Sequence, residues 1–144
     1  MAMSHHPDYR LLGLVGQGQF AQEHCAMHRR TGKLVAIKQT RHASEQASQE
    51  PFVLHGLSHP NVMGAQAIRQ VDDGYQFVLD YCECGTLRSH LDTAGPLPLL
   101  EAKSLLCDIL EGLAYIHKNN IIHGDLKPEN ILLTHAFAGP ADDI

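Results

Sequence analysis

Ile122-His123-Gly124-Asp125-Leu126-Lys127-Pro128-Glu129-Asn130 decides how the rest of the chain is read. It follows a long amphipathic segment and precedes a short apolar run, Ile131 to Leu133, that reads as a strand. A carboxylate, an ammonium and a side-chain amide therefore share one rigid polar loop. That set suits phosphoryl transfer, where positioning and electrostatics rather than covalent chemistry carry catalysis. In such a loop Asp125 can accept a hydroxyl proton. Lys127 can neutralise charge on the moving phosphoryl group, and the Asn130 amide oxygen can hold Mg²⁺.

Upstream of this loop, Leu99 to Lys118 is the clearest helix. Leu99, Ala102, Leu106, Ile109, Leu113 and Ile116 make one apolar face, which predicts a core helix ended by Asn119-Asn120. Gly95-Pro96-Leu97-Pro98 reads as a loop, and Thr86 as the cap of a short helix from Leu87 to about Asp92. Before Cys84-Gly85 the apolar period changes from helical to strand-like. Tyr9 to Val15, Phe20 to about His28, Lys33 to Gln39, Ala67 to Val71 and Tyr75 to Tyr81 read as strands. Thr31-Gly32 marks one turn, and Asp73-Gly74 marks a hairpin. Phe52, Val53, Leu54 and Leu57 stand at helical spacing, with Pro51 in the first turn of a helix that Ser58-His59-Pro60-Asn61 ends. The fold class predicted is α+β in two layers: a five-stranded sheet with one inserted helix, then helices.

Two further motifs bear on chemistry. Gly16-Gln17-Gly18-Gln19-Phe20 lies between two strands, and its glycines let backbone N–H groups approach a phosphate closely. A dinucleotide fingerprint would need a helix after the glycines, whereas a strand follows. Val35-Ala36-Ile37-Lys38 puts a lysine in a mostly apolar strand. A partly buried ammonium needs a partner, and Glu50 on the next helix is the natural one; the alternative is a lysine that snorkels to solvent.

Taken in order, these motifs resemble the protein kinase family, over Tyr9 to Leu133. The glycine-rich loop, VAIK at Lys38, Glu50 ahead of HPN, and HGDLKPEN all occur, and DLKPEN resembles the Ser/Thr class rather than the tyrosine class. The resemblance implies a five-stranded antiparallel N-lobe with one helix over 9–80, a hinge at 81–85, and the start of a helical C-lobe over 86–144. Residues 1–8 would be disordered. It implies ATP and Mg²⁺ as cofactors and a protein Ser/Thr hydroxyl as acceptor. Val15, Gly16, Gln17, Gly18, Gln19, Phe20, Ala21 and Glu23 would cover the nucleotide. Lys38 would bind its α/β-phosphates and pair with Glu50. Ala36 and Leu132 would enclose the adenine, with Leu79 at the gatekeeper position and the backbone of Asp80 and Cys82 at its edge. Asp125 would be the base, Lys127 would meet the γ-phosphate, and Asn130 would hold the metal.

Four departures stand out. Ala21 replaces the third glycine of the loop, and Glu23 replaces an apolar residue that normally covers adenine, which should weaken ATP binding unless its carboxylate turns outward. Gly124 replaces the arginine that usually meets an activation-loop phosphate, so activity should not depend on that switch. The sequence ends at Ile144, ahead of the family's metal-binding aspartate, so the chain alone is expected to be inactive or weak. A non-catalytic nucleotide-binding or scaffold role, pseudokinase-like, is the alternative. A small-molecule phosphotransferase of the aminoglycoside-kinase kind also uses HGD, but HPN, contiguous VAIK and LKPEN speak against it.

Composition agrees with a folded domain: 144 residues, 44% hydrophobic and 19% charged, net charge −5. The acidic balance argues against a general nucleic-acid or anionic-membrane binder. It is uneven: residues 1–79 hold seven Lys/Arg and six Asp/Glu, residues 80–144 four and ten. No apolar run nears the ~20 residues of a membrane span, and the start lacks an apolar signal core, so a cytoplasmic location is expected. Cys25, Cys82, Cys84 and Cys107 form no CxxC pair, in keeping with a reducing compartment. His24 and His28, on a strand-like run, read as surface histidines rather than metal ligands. An uncovered apolar face on the Leu99–Lys118 helix would favour self-association.

Overall fold

The computed structural model describes residues 3–18, 21–41, 55–72 and 74–137. The chain divides into two compact units, Met1–Tyr81 and Cys82–Ile144. Among the described residues of the first unit, five strands run β1 (Tyr9–Gln17), β2 (Ala21–His28), β3 (Leu34–Arg41), β4 (Ala65–Val71) and β5 (Gly74–Asp80). They form one sheet in the order β1-β2-β3-β5-β4, every neighbouring pair antiparallel. The expected five-stranded antiparallel sheet is present. β4 begins two residues earlier than the sequence pattern indicates, because its register shifts between Ala65 and Ala67 and hides the alternation.

Central β3 and β5 are the most buried strands. Residues directly opposite across antiparallel strands share a face, and this sorts the sheet into two sides. On one side Val35, Ile37, Val78 and Ala26 pack with Met3 and Tyr9. On the other, Ala36, Phe77, Leu79 and Ala65 pack with Met63 and Ile68. Full burial of Phe77, Ile37, Val35 and Val78 contributes roughly 1.5–3 kcal/mol each.

Met3 to Asp8, expected to be disordered, lie against the first side of the sheet. The Ser4 N–H donates to Gln39 Oε1 at 2.8 Å, and Gln76 Nε2 donates to the Ser4 carbonyl at 2.6 Å. Arg69 donates to the His5 carbonyl at 2.9 Å. The strap is held because Gln39 and Gln76 are buried on that side and need polar partners. Burial pushes the His6 imidazole below its ordinary value, and the nearby Arg69 charge adds to the effect.

The second unit contains α1 (Leu87–Ala94) and α2 (Leu99–Lys118), then a 3₁₀ turn, Pro128–Asn130. Thr86 caps α1 as expected, its hydroxyl accepting from the Ser89 N–H while the Ser89 hydroxyl accepts from the Thr86 N–H. Helix α2 has the expected bounds but is a core helix only at its C-terminal end. Gly112 and Ile116 are buried there, whereas Leu99, Leu100, Leu106 and Leu110 are exposed. The run Ile131 to Leu133 forms a single bridge, Leu132 to Thr86, rather than a strand. That bridge suffices to position it: Leu87 N–H donates to the Ile131 carbonyl and Leu133 N–H to that of Gly85.

Candidate active site

Within the first unit, strand register brings one group of candidate residues together on the sheet. Gly16 stands opposite Glu23, Glu23 opposite Lys38, and Lys38 opposite Phe77. Cys25 stands opposite Ala36, and Ala36 opposite Leu79. Gly16, Glu23, Lys38, Ala36 and Leu79 therefore share one face, the side with Phe77. Lys38 is half-buried, as an ammonium in an apolar strand should be. Ala36 and Leu79 are buried and make a flat apolar floor beside it. Glu50, Pro51, Gln19 and Phe20 lie outside the described residues, and with them the expected Lys38–Glu50 pair.

The glycine turn between β1 and β2 is closed by the Gly18 N–H, which donates to the Ala21 carbonyl at 2.8 Å. Val15 falls at a register shift between Leu14 and Gly16 and is exposed, as is Gln17. Glu23 does not turn away from this face. It is half-buried, and its Oε2 leans to 3.9 Å from where a Cβ on Gly16 would stand. At the end of β5, Asp80 accepts from Lys33 Nζ at 3.2 Å and from Gln66 Nε2. These contacts fix its side chain outside the apolar floor, and sequence reasoning missed both donors.

A second group of candidate residues lies in the polar loop of the second unit. Asn120, at φ 59°, turns the chain out of α2. Gly124 has φ 75°, a left-handed conformation that glycine adopts without steric penalty. Lys127 Nζ lies 2.9 Å from Asp125 Oδ2. Asn130 Nδ2 donates to the same Oδ2 at 2.9 Å and to the Asp125 carbonyl at 2.7 Å. The Asp125 N–H in turn donates to His123 Nδ1 at 3.3 Å, a local contact that the motif spacing does not announce. Hydrogen bonding from Lys127, then from Asn130, holds the Asp125 carboxyl below the usual aspartate value, and the same contact raises Lys127. Asp125 is thus ionised at neutral pH and oriented, though exposed.

These residues fit the nucleotide and the metal in kind. A flat apolar floor beside an ammonium and a glycine turn suits a purine joined to phosphates. Asn130 directs Nδ2 at Asp125, which leaves its Oδ1 as a hard oxygen donor for Mg²⁺, an ion that takes few protein ligands and completes its shell with water and phosphate. Leu132 is partly exposed beside its bridge to Thr86, and Cys82 is half-buried. No cluster of three His, Cys, Asp or Glu side chains suited to a metal occurs among the described residues.

The family model described as protein kinase domain matches residues 9–138. A probable serine/threonine-protein kinase of Dictyostelium discoideum is 36% identical over 133 residues, 88% of this chain and 27% of that protein. The serine/threonine-protein kinase cds1 of Schizosaccharomyces pombe is 33% identical over 148 residues, 95% of this chain and 32% of that protein. The crystal structure of Rad53 1–466 in complex with AMP-PNP superposes with a TM-score of 0.82 at 30% identity, covering 89% of this chain and 35% of that one. The chain spans about a third, or less, of the length of these relatives.

Proposed function

This chain belongs to the protein kinase family, and on that premise we propose that it is the ATP-binding and catalytic-loop portion of a kinase acting on protein Ser/Thr hydroxyls. The observation that carries this reading is the Asp125–Lys127–Asn130 cluster, closed at 2.9 Å. Asp125, ionised and held by two donors, accepts the hydrogen bond of the attacking hydroxyl and takes its proton. A carboxyl held below its usual value is a weak base, so its contribution is orientation more than proton affinity. Lys127, already beside Asp125, provides positive charge where the phosphoryl group passes. Lys38 binds the α/β-phosphates, and Ala36, Leu79 and Leu132 line the adenine. ATP would supply the transferable phosphoryl group, and Mg²⁺ bound with it would screen the phosphate charge, with Asn130 as a residue that would hold the metal. Glu50 is the proposed partner of Lys38.

Acting alone, the chain is a weak or inactive catalyst, since Asn130 is the single metal ligand assigned among its described residues. The four cysteines are free thiols, which supports a reducing, cytoplasmic setting. No described helix is long and apolar enough to cross a membrane.

Calorimetry with Mg·ATP tests the proposal. The chain is expected to bind at about 1 mM ATP or below, within the usual KM range, and Lys38→Met to weaken binding. Transfer to a basic protein is expected to be slight and to vanish in Asp125→Asn, with binding kept. Binding with no transfer in either form favours the non-catalytic alternative, while absence of binding at that concentration sinks the nucleotide reading.

A further inference from the structure

Residues 3–8 lie on the side of the sheet away from Phe77, and the sheet grips them at both ends. At the first end Gln39 Oε1 accepts from the Ser4 N–H at 2.8 Å, and Gln76 Nε2 donates to the Ser4 carbonyl at 2.6 Å. The two glutamines stand opposite each other across β3–β5, and Gln76 Nε2 also donates to Gln39 Oε1 at 2.8 Å. Met3 packs beside them on Ala26, Val35, Ile37 and Val78. This docking is nevertheless closely balanced. Gln76 is fully buried, yet its Oε1 has no hydrogen-bond partner. Water would solvate that oxygen once the strap lifts, so the docked state carries the cost of one unpaired acceptor.

The second end is held by His6, which is only 8% exposed. Its ring stands edge-on to Tyr9 of β1, with centroids 4.8 Å apart, and Tyr9 in turn meets His28 of β2 at 5.1 Å. The Asp8 N–H donates to His6 Nδ1 at 3.2 Å, which requires a lone pair on that nitrogen. Arg69 of β4, which donates to the His5 carbonyl at 2.9 Å, opposes a positive charge on the ring, as does His5, while Asp8 favours one. A proton added at Nδ1 would set two donors against each other and bury a cation near Arg69.

We propose that His6 is the pH-sensitive latch of the N-terminal strap: neutral, it locks residues 3–8 onto the sheet; protonated at Nδ1, it releases them and uncovers the Met3 seat and the Gln39–Gln76 pair. The sign follows from linkage. A released His6 has its ordinary value of 6.5, and the docked ring lies below it, first through burial and then through Arg69. The docked state therefore binds fewer protons. Docking is at full strength above 6.5 and weakens as pH falls from there through the docked value.

The test is NMR of the 144-residue chain across the histidine range, about pH 7.5 to about pH 5. Two signals are followed: the Ser4 amide protection factor, which is corrected for the intrinsic pH dependence of exchange, and the His6 ring titration. Ser4 protection is expected to fall about tenfold, the scale of one lost hydrogen bond with added repulsion. Its midpoint should coincide with that of the His6 ring and lie below 6.5. His6→Asn offers a side-chain oxygen to the Asp8 N–H but does not titrate, so its Ser4 protection should stay level with pH. His5→Asn should keep the full pH dependence. Level protection in the unmodified chain overturns the latch, and so does an unchanged pH dependence in His6→Asn. If His6→Asn fails to dock at any pH, the unmodified chain decides: a His6 midpoint at or above 6.5, or one separate from that of Ser4 protection, overturns the latch.

Discussion

Asp125 shows how one side chain is set by its nearest neighbours. Its folded carboxyl lies below the ordinary 3.8, chiefly through the hydrogen bond from Lys127. The sign follows from linkage: a depressed carboxyl contributes order above its unfolded value and loses it as pH falls through the lower folded value. A carboxyl-detected NMR titration is expected to place the Asp125 midpoint under 3.8. Lys127→Met should move it up toward 3.8, but not fully, because Asn130 still donates to the same oxygen. A midpoint at or above 3.8 in the unmodified chain would contradict this account. Asp125, Lys127 and Asn130 were legible in the sequence because all three lie within one short loop, where spacing constrains geometry. Donors to Asp80 were not, since Lys33 is 47 residues away and only the β3–β5 register brings it near.

At the scale of elements, Gly74 of the Asp73-Gly74 signal opens β5, while Asp73 lies outside the described residues, and the sequence does not disclose why glycine is needed at 74. A Cβ there would stand 1.8 Å from the Thr40 carbonyl oxygen and 2.8 Å from its carbon. Those atoms are backbone of β3, paired with β5 at Arg41–Gly74, so neither can yield without loosening the ladder. Gly74→Ala is expected to destabilise the first unit by about 1–3 kcal/mol, the usual range for forced overpacking. The measurement is a lowered denaturant midpoint. Gly13→Ala is the control: a Cβ on this β1 residue would meet nothing within 4 Å, and its effect should stay within about 0.5 kcal/mol. Similar midpoints for both variants would refute the close approach. The N-terminal strap was illegible for a related reason. Buried Gln39 and Gln76 look like solvent-facing positions of two alternating strands, and only folding shows that Ser4 supplies their partner.

For the molecule as a whole, the decisive quantity is the apolar surface left open on α2. Leu99, Leu106 and Leu110 fall on one side of the helix by their seven- and four-residue spacing. They are 76%, 54% and 55% exposed, with Leu100 beside them at 79%. The helical period disclosed this face, yet period alone does not say whether a face is covered; only its Ile116 end is. Burying one leucine is worth roughly 1.5–3 kcal/mol, so a few in contact between two copies suffice for weak association. The net charge of −5 opposes it, which makes association salt-promoted. Sedimentation equilibrium is expected to show an average mass that rises above 15.9 kDa with concentration and with added salt. The double substitution Leu106→Glu with Leu110→Glu should hold the mass at the monomer value while helicity is unchanged, because both sites are exposed and glutamate is a good helix former. If the unmodified chain stays monomeric at high salt, the open leucine strip does not drive association. If the double variant associates as strongly as the parent, another surface does.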